Sequence, residues 1–246
     1  MPVQTLFRFL FVFLFVAVTP AIFFVNCGGG AVDNTDSSLS SSSTGCNGNV
    51  SPSLKNPQSI DQMMNLIIAL PKPLTIDCFI SALNKPLKVY AVDNAFSAQP
   101  SAGPQSPRIF IINNRLTMSV VPAGVGRLLL EVSEVVGPSL SVKGEIEFPV
   151  TTNISPDSVY TRIKDESFAG TSCRFCHGNE NPYFAITTGP AFVSKLIPPD
   201  PFKRISQASM LGQAARCNPE KEMYRCLMLR AIYLDGQASD VEFPNF

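Results

Sequence analysis

The sequence predicts an α+β protein, with an N-terminal antiparallel β-sandwich or barrel-like domain followed by a small, mainly α/loop domain. Three observations carry this prediction. Between residues 72 and 163, short apolar runs alternate with turn signals, the pattern of antiparallel folds. Residues 140–150 have a period of two: Leu140, Val142, Ile146, Phe148 and Val150 fall on one face, Ser141, Lys143, Glu145 and Glu147 on the other. That pattern predicts one buried and one solvated face. From about Ser167 the strand pattern gives way to Gly/Ser/Thr-rich loop and a terminal helical stretch.

In chain order, residues 1–26 have the composition of an export signal. Arg8 is the only charge, and an apolar run follows from 9 to 25. The run leads to Cys27 and Gly28-Gly29-Gly30, which resembles a bacterial lipoprotein signal in which Cys27 becomes the lipidated first residue. Phe24 and Asn26 stand where that signal usually has Leu and a small residue. The alternative is an uncleaved anchor, since 17 apolar residues reach the short limit of a span. Residues 27–50 are rich in Gly, Ser, Asn and Asp and read as a disordered tether.

Residues 51–165 read as the β-rich domain. A short helix is expected over 59–70, with Ser59 and Gln62 at capping-box spacing and Pro71 as the stop. Strands are expected at 74–81, 87–92, 108–112, 116–121, 127–135 and 140–150. No constellation of catalytic groups stands out here; Glu145 and Glu147 read as a solvated strand face. Lys plus Arg number 19 and Asp plus Glu 19, and charged residues are 15 % of the chain, which argues against a nucleic-acid surface.

Residues 166–246 hold the motif that carries chemistry. Cys173-Arg174-Phe175-Cys176-His177 has the spacing of c-type haem attachment: two thiols add to the vinyl groups and the next residue ligates iron. His177 is the chain's only histidine. A zinc site wants four ligands in two spaced pairs, and the chain has neither a second histidine nor a second Cys-x-x-Cys. A thioredoxin-like pair wants a βαβ setting. The remaining alternative is a structural Cys173–Cys176 disulfide beside a bystander histidine.

The seven cysteines then divide into one for lipid (Cys27), two for haem, and Cys46, Cys78, Cys217 and Cys226 for two disulfides. Neighbour pairing gives Cys46–Cys78 and Cys217–Cys226, one of three open pairings. The second pair requires the chain to loop back after Cys217, with the helix starting near Glu222, because one continuous helix would hold the two Cα atoms about 12 Å apart. Met223, Leu227, Ala231 and Leu234 are the expected apolar stripe of that helix, with Gly236 at its cap.

Residues 167–236 resemble class I c-type cytochromes. The resemblance implies a cytochrome c-like haem domain with one covalent heme c on Cys173 and Cys176 and His177 as the proximal iron ligand. Thr188-Gly189-Pro190 is similar to the family loop whose proline carbonyl accepts the histidine's Nδ1–H. For the distal ligand, Met210 lies in the best-placed segment; Met118, Met223, Met228 and an open sixth position are the alternatives. Together these readings point to an extracytoplasmic, lipid-anchored electron-transfer protein of the cell envelope, periplasmic or at the outer-membrane surface. Its partners would be the membrane, through the lipid, and an unidentified redox protein, with no nucleic acid. The alternative is a non-haem surface lipoprotein that binds a partner through its β domain.

Overall fold

The computed structural model describes Cys46 and residues 49–93, 99–167 and 169–244. The expected signal peptide, the lipidation site Cys27 and most of the tether lie outside the described residues. Among the described residues the fold is α+β, a nine-stranded mixed sheet with six α-helices. Among the described residues no helix is long and apolar enough to cross a membrane.

Helix α1 (Ile60–Ala69) forms where expected. Ser59 Oγ accepts from the Gln62 amide at 3.2 Å, and the Gln62 side chain accepts in return from the Gln58 amide at 2.8 Å. This satisfies two donors at the helix start. Its Ile60, Met63, Met64, Leu66 and Ile67 are all buried. The next segment, expected as a strand, is instead helix α2 (Ile76–Ala82). Ile76, Phe79, Ile80 and Leu83 are buried at i, i+3, i+4 and i+7, the helical spacing, and α6 packs across them.

Five antiparallel strands make the middle of the sheet: β1 (Leu87–Val92), β2 (Arg108–Asn113), β3 (Leu116–Val120), β4 (Leu129–Gly137) and β5 (Leu140–Glu147), each paired to the next. Short helices α3 (Ser158–Thr161) and α4 (Arg174–His177) follow. The chain then supplies both sheet margins. Strands β6 (Asn181–Pro182) and β7 (Phe192–Lys195) extend the sheet beyond β5, whereas β8 (Arg204–Ile205) and β9 (Ala238–Asp240) share the outer edge of β1, β9 in parallel. Between β8 and β9 lie α5 (Gln207–Ala215) and α6 (Pro219–Tyr233).

Strands on both sides of residue 165 thus lie in one sheet, and one core takes side chains from both stretches, including Ile60, Phe79, Val132, Met210 and Ile232. The helices α1, α2, α5 and α6 supply the cover on that face, where a sandwich would place a second sheet. Gly144 of β5 lets α3 approach this face closely. A Cβ there would sit 2.5 Å from Val159 Cγ2 and 3.1 Å from Val132 Cγ2. Gly144→Ala is therefore expected to destabilise by about 1–3 kcal/mol through overpacking, read as a lowered urea midpoint with an unchanged m-value.

Both disulfides join sequence neighbours, Cys46 with Cys78 and Cys217 with Cys226. The second is reached by the loop-back that geometry demands. Glu222 leaves helical backbone (φ −140°, ψ 51°), so α6 is kinked there and the two cysteine Cα atoms come to 5.4 Å. The kink also turns the helix. Its buried side is Arg225, Cys226, Met228, Leu229, Ala231, Ile232 and Tyr233, while Met223 and Leu234 of the expected stripe are exposed.

Candidate functional site

The opposite face of the sheet is where the structure departs most from a solvated surface. Ser141 is fully buried, Lys143 8 % and Glu145 2 % exposed. These are the residues that the period of two assigned to water. The alternation itself holds, but a second layer covers the polar face. That layer is Ile163, the turn of α4 with Cys173, the stretch 196–199, and Phe243, which packs edge-on against Tyr90 and Phe110 with ring centroids 5.8 and 5.4 Å away. Between floor and cover lies a cavity of about 170 Å³.

Cys173, Cys176 and His177 all line this cavity. Their arrangement follows from one helical turn. The His177 amide donates to the Cys173 carbonyl at 2.9 Å and the Cys176 amide to the same carbonyl at 3.1 Å. Residues at i, i+3 and i+4 then share a face. Gly178, at φ +77°, ends the turn in the left-handed region that suits glycine. The turn is anchored at its start by Thr171, whose amide and hydroxyl both donate to the Glu180 carboxylate at 2.6 Å. Thr171 Oγ1 in turn accepts from the Cys173 amide at 3.2 Å.

Neither sulfur of the motif is in a disulfide. Burial, reinforced by the Glu131 carboxylate, pushes the Cys173 thiol up to about 12. A thioredoxin-type pair needs the reverse, a thiol shifted down toward neutrality. Nor do the cysteines offer a zinc cage. The one Cys/Asp cluster of ligand spacing among the described residues is Cys46, Asp77 and Cys78, whose two sulfurs are bonded to each other.

The His177 ring is half-buried, and its Nδ1 lies 2.9 Å from the Lys195 carbonyl oxygen. A carbonyl only accepts, so Nδ1 carries the proton and Nε2 keeps its lone pair. Burial, with the nearby Lys143 charge, lowers the ring to about 4, so the imidazole is neutral at physiological pH. The expected acceptor was the Pro190 carbonyl; the structure gives Lys195 that place. Thr188-Gly189-Pro190 lies elsewhere: Thr188 Oγ1 donates to Asp61 Oδ1 at 2.7 Å, and Gly189 packs against Tyr160 and Asp157.

Among the described residues no methionine lines the cavity. Met118, Met210 and Met228 are buried in the large core on the other side of the sheet, and Met223 is exposed on α6. The floor carries charge instead. Arg108 donates to Ser119 Oγ at 2.8 Å and pairs with Glu131, and Arg162 pairs with Glu145 at 2.7 Å. Lys143 donates to Ser141 Oγ at 2.7 Å. Burial lowers Lys143 to about 8 and raises Glu145 to about 7, in the latter case with help from Glu131. Glu131 Oε1 and Ser133 Oγ are buried with no hydrogen-bond partner among the described residues, so the floor offers acceptors to a ligand.

Sequence reasoning missed Glu180, Lys195 and Lys143. None of the three left a signal: Lys143 lies on the polar face of a period-two strand, and Glu180 and Lys195 lie outside the motif. No protein-family model, curated protein or solved structure matches the chain.

Proposed function

We propose that this is a membrane-anchored, extracytoplasmic c-type haem protein that carries single electrons at the cell envelope. The observation that carries this reading is the convergence of Cys173, Cys176 and His177 on one cavity, with Nδ1 tied to a backbone carbonyl so that Nε2 keeps its lone pair. The donor set fits the group: two thiols and a neutral imidazole in the ligating tautomer on one helical turn, with apolar lining from Phe110, Leu196, Ile197 and Phe243. When bound, the haem iron supplies the one-electron chemistry. The chain's part is to fix the imidazole, exclude water with the 196–199 cover and hold the site near its membrane through Cys27.

A second reading, a haem sensor or small redox enzyme with an open sixth position, is favoured by the methionines. All of those considered as distal ligands lie off the cavity. Carbon monoxide binding to the reduced protein separates it from a six-coordinate carrier.

The test of the main reading is covalent attachment. Expressed in an exporting host with c-type maturation machinery, the wild-type protein should stain for haem on a denaturing gel. It should also retain haem through acid–acetone extraction and give the pyridine haemochrome of two thioethers. A colourless folded product with Cys173 disulfide-linked to Cys176 would overturn it and leave a partner-binding lipoprotein.

A further inference from the structure

We infer that Lys143 is a positioning residue for His177, and that its ammonium raises the reduction potential of the c-type centre by drawing on the carbonyl that holds the imidazole. The inference rests on the proposed haem reading and extends it to a residue outside the motif. The Lys195 carbonyl oxygen accepts twice: from His177 Nδ1–H at 2.9 Å and from Lys143 Nζ at 3.3 Å. Lys143 also donates to Ser141 Oγ at 2.7 Å and to Ser194 Oγ at 3.2 Å, so three acceptors fix its three donors.

The frame is the sheet itself. Ser141 pairs with Ser194, and Leu140 with Lys195, across adjacent antiparallel strands β5 and β7. The carbonyl, the lysine and both serines therefore move as one rigid patch behind the His177 ring. Burying an ammonium costs free energy, and nothing in strand pairing requires one at this position; an apolar side chain would satisfy the sheet as well. What the ammonium adds is electrostatic.

Two effects of that charge act in the same direction. A carbonyl already donating electron density to an ammonium is a weaker acceptor for Nδ1–H, which leaves the imidazole less electron-rich at Nε2. A positive charge near the redox centre also favours the state with one more electron. Glu131 and Glu180, the acidic groups that also face this lysine, offset part of the charge from farther off.

The experiment compares wild type, Lys143→Met and Lys143→Gln as full-length haem-loaded proteins in potentiometric titrations at pH 7. Lys143→Met is expected to shift the potential negative, with the equilibrium for reduction weakened about tenfold, which is about 59 mV for one electron. Lys143→Gln keeps a donor without charge and should fall with Lys143→Met. Potentials equal to wild type in both variants overturn the inference.

A separate readout needs no haem. The single histidine gives one pair of imidazole nitrogen resonances, and loss of the competing ammonium should strengthen the Nδ1–H bond and deshield that proton in both variants. If wild type takes up no covalent haem, the function reading fails, and the nitrogen spectrum alone judges Lys143. An unchanged Nδ1–H signal in both variants then overturns its role.

Discussion

The Cys173→Ser/Cys176→Ser double variant is expected to carry no haem stain on a denaturing gel, a complete loss and not a graded one. In the proposed centre each thioether would be a covalent bond, and removing both sulfurs would leave only ligation by His177, which denaturation breaks. Single cysteine variants should weaken or abolish the stain. His177→Ala should block maturation, because the half-buried ring is the only imidazole in the chain and its Nδ1 bond to the Lys195 carbonyl leaves the ligating lone pair on Nε2. The control lies on the other side of the sheet. Cys46 and Cys78 are bonded to each other in the large core, remote from the cavity lining. Replacing both should lower stability by about 2–4 kcal/mol through loss of a cross-link that spans 32 residues, yet leave the stain intact. Loss of stain in that control at a temperature where the protein stays folded would contradict the assignment of the site.

The second large effect is hidden in the wild type and emerges on mutation. Burial disfavours the charged form of Glu145 and pushes its carboxyl up from 4.5 to about 7. The native state therefore binds a proton that the unfolded state has lost, and Glu145 lowers stability as pH rises from about 4.5 to 7. His177 does the opposite. Its folded value near 4 lies below the ordinary 6.5, so the unfolded state binds the extra proton and stability is lost as pH falls from about 6.5 to 4. The two windows nearly coincide and the slopes oppose, so these two groups leave wild-type stability almost flat there. Glu145→Gln removes one slope and uncovers the other: denaturation midpoints should fall on acidification from pH 7 to 4. His177→Gln should do the reverse and lose up to about 3 kcal/mol as pH rises from 4.5 to 7, the linkage value of a shift of that size at a side chain only 2 % exposed. Parallel pH profiles for the two variants would refute the assignment.

Much of the central sheet was legible because its strands carry their own instructions. Val142 and Ile146 face the core as their alternation with polar neighbours required, and the runs at 87–92, 108–112 and 116–121 became strands within a residue. The site motif was legible for the same reason: a single turn places its three groups, so local spacing suffices. What failed was whatever depends on partners distant in sequence. Ile76, Phe79 and Ile80 are compatible with either period, and the neighbouring α6 decided for helix. Lys143 and Glu145 read as solvated because nothing in β5 announces that residues 163–199 will fold over them. The acceptor for His177 was sought within a familiar local loop, but β7 reaches the ring through sheet pairing with β5, a contact set by register and not by proximity to the motif. The stripe on α6 was misjudged by the kink at Glu222, which resets the helical phase at the very point the disulfide needs it.

The division of the β1 edge between β8 and β9 has a consequence for biogenesis. Strand β1 emerges from the ribosome about 150 residues before Ala238–Asp240, the segment that pairs with its first half and leads into the Phe243 cover over the cavity. Until that segment arrives, one flank of the sheet presents unpaired amides and carbonyls to any other extended chain. A nascent or truncated polypeptide ending after α6 would thus be sticky along the first half of β1 until Ala238–Asp240 pair there. Synthesis order, and not only the finished contacts, makes Ala238–Asp240 the latch that closes this edge of the sheet.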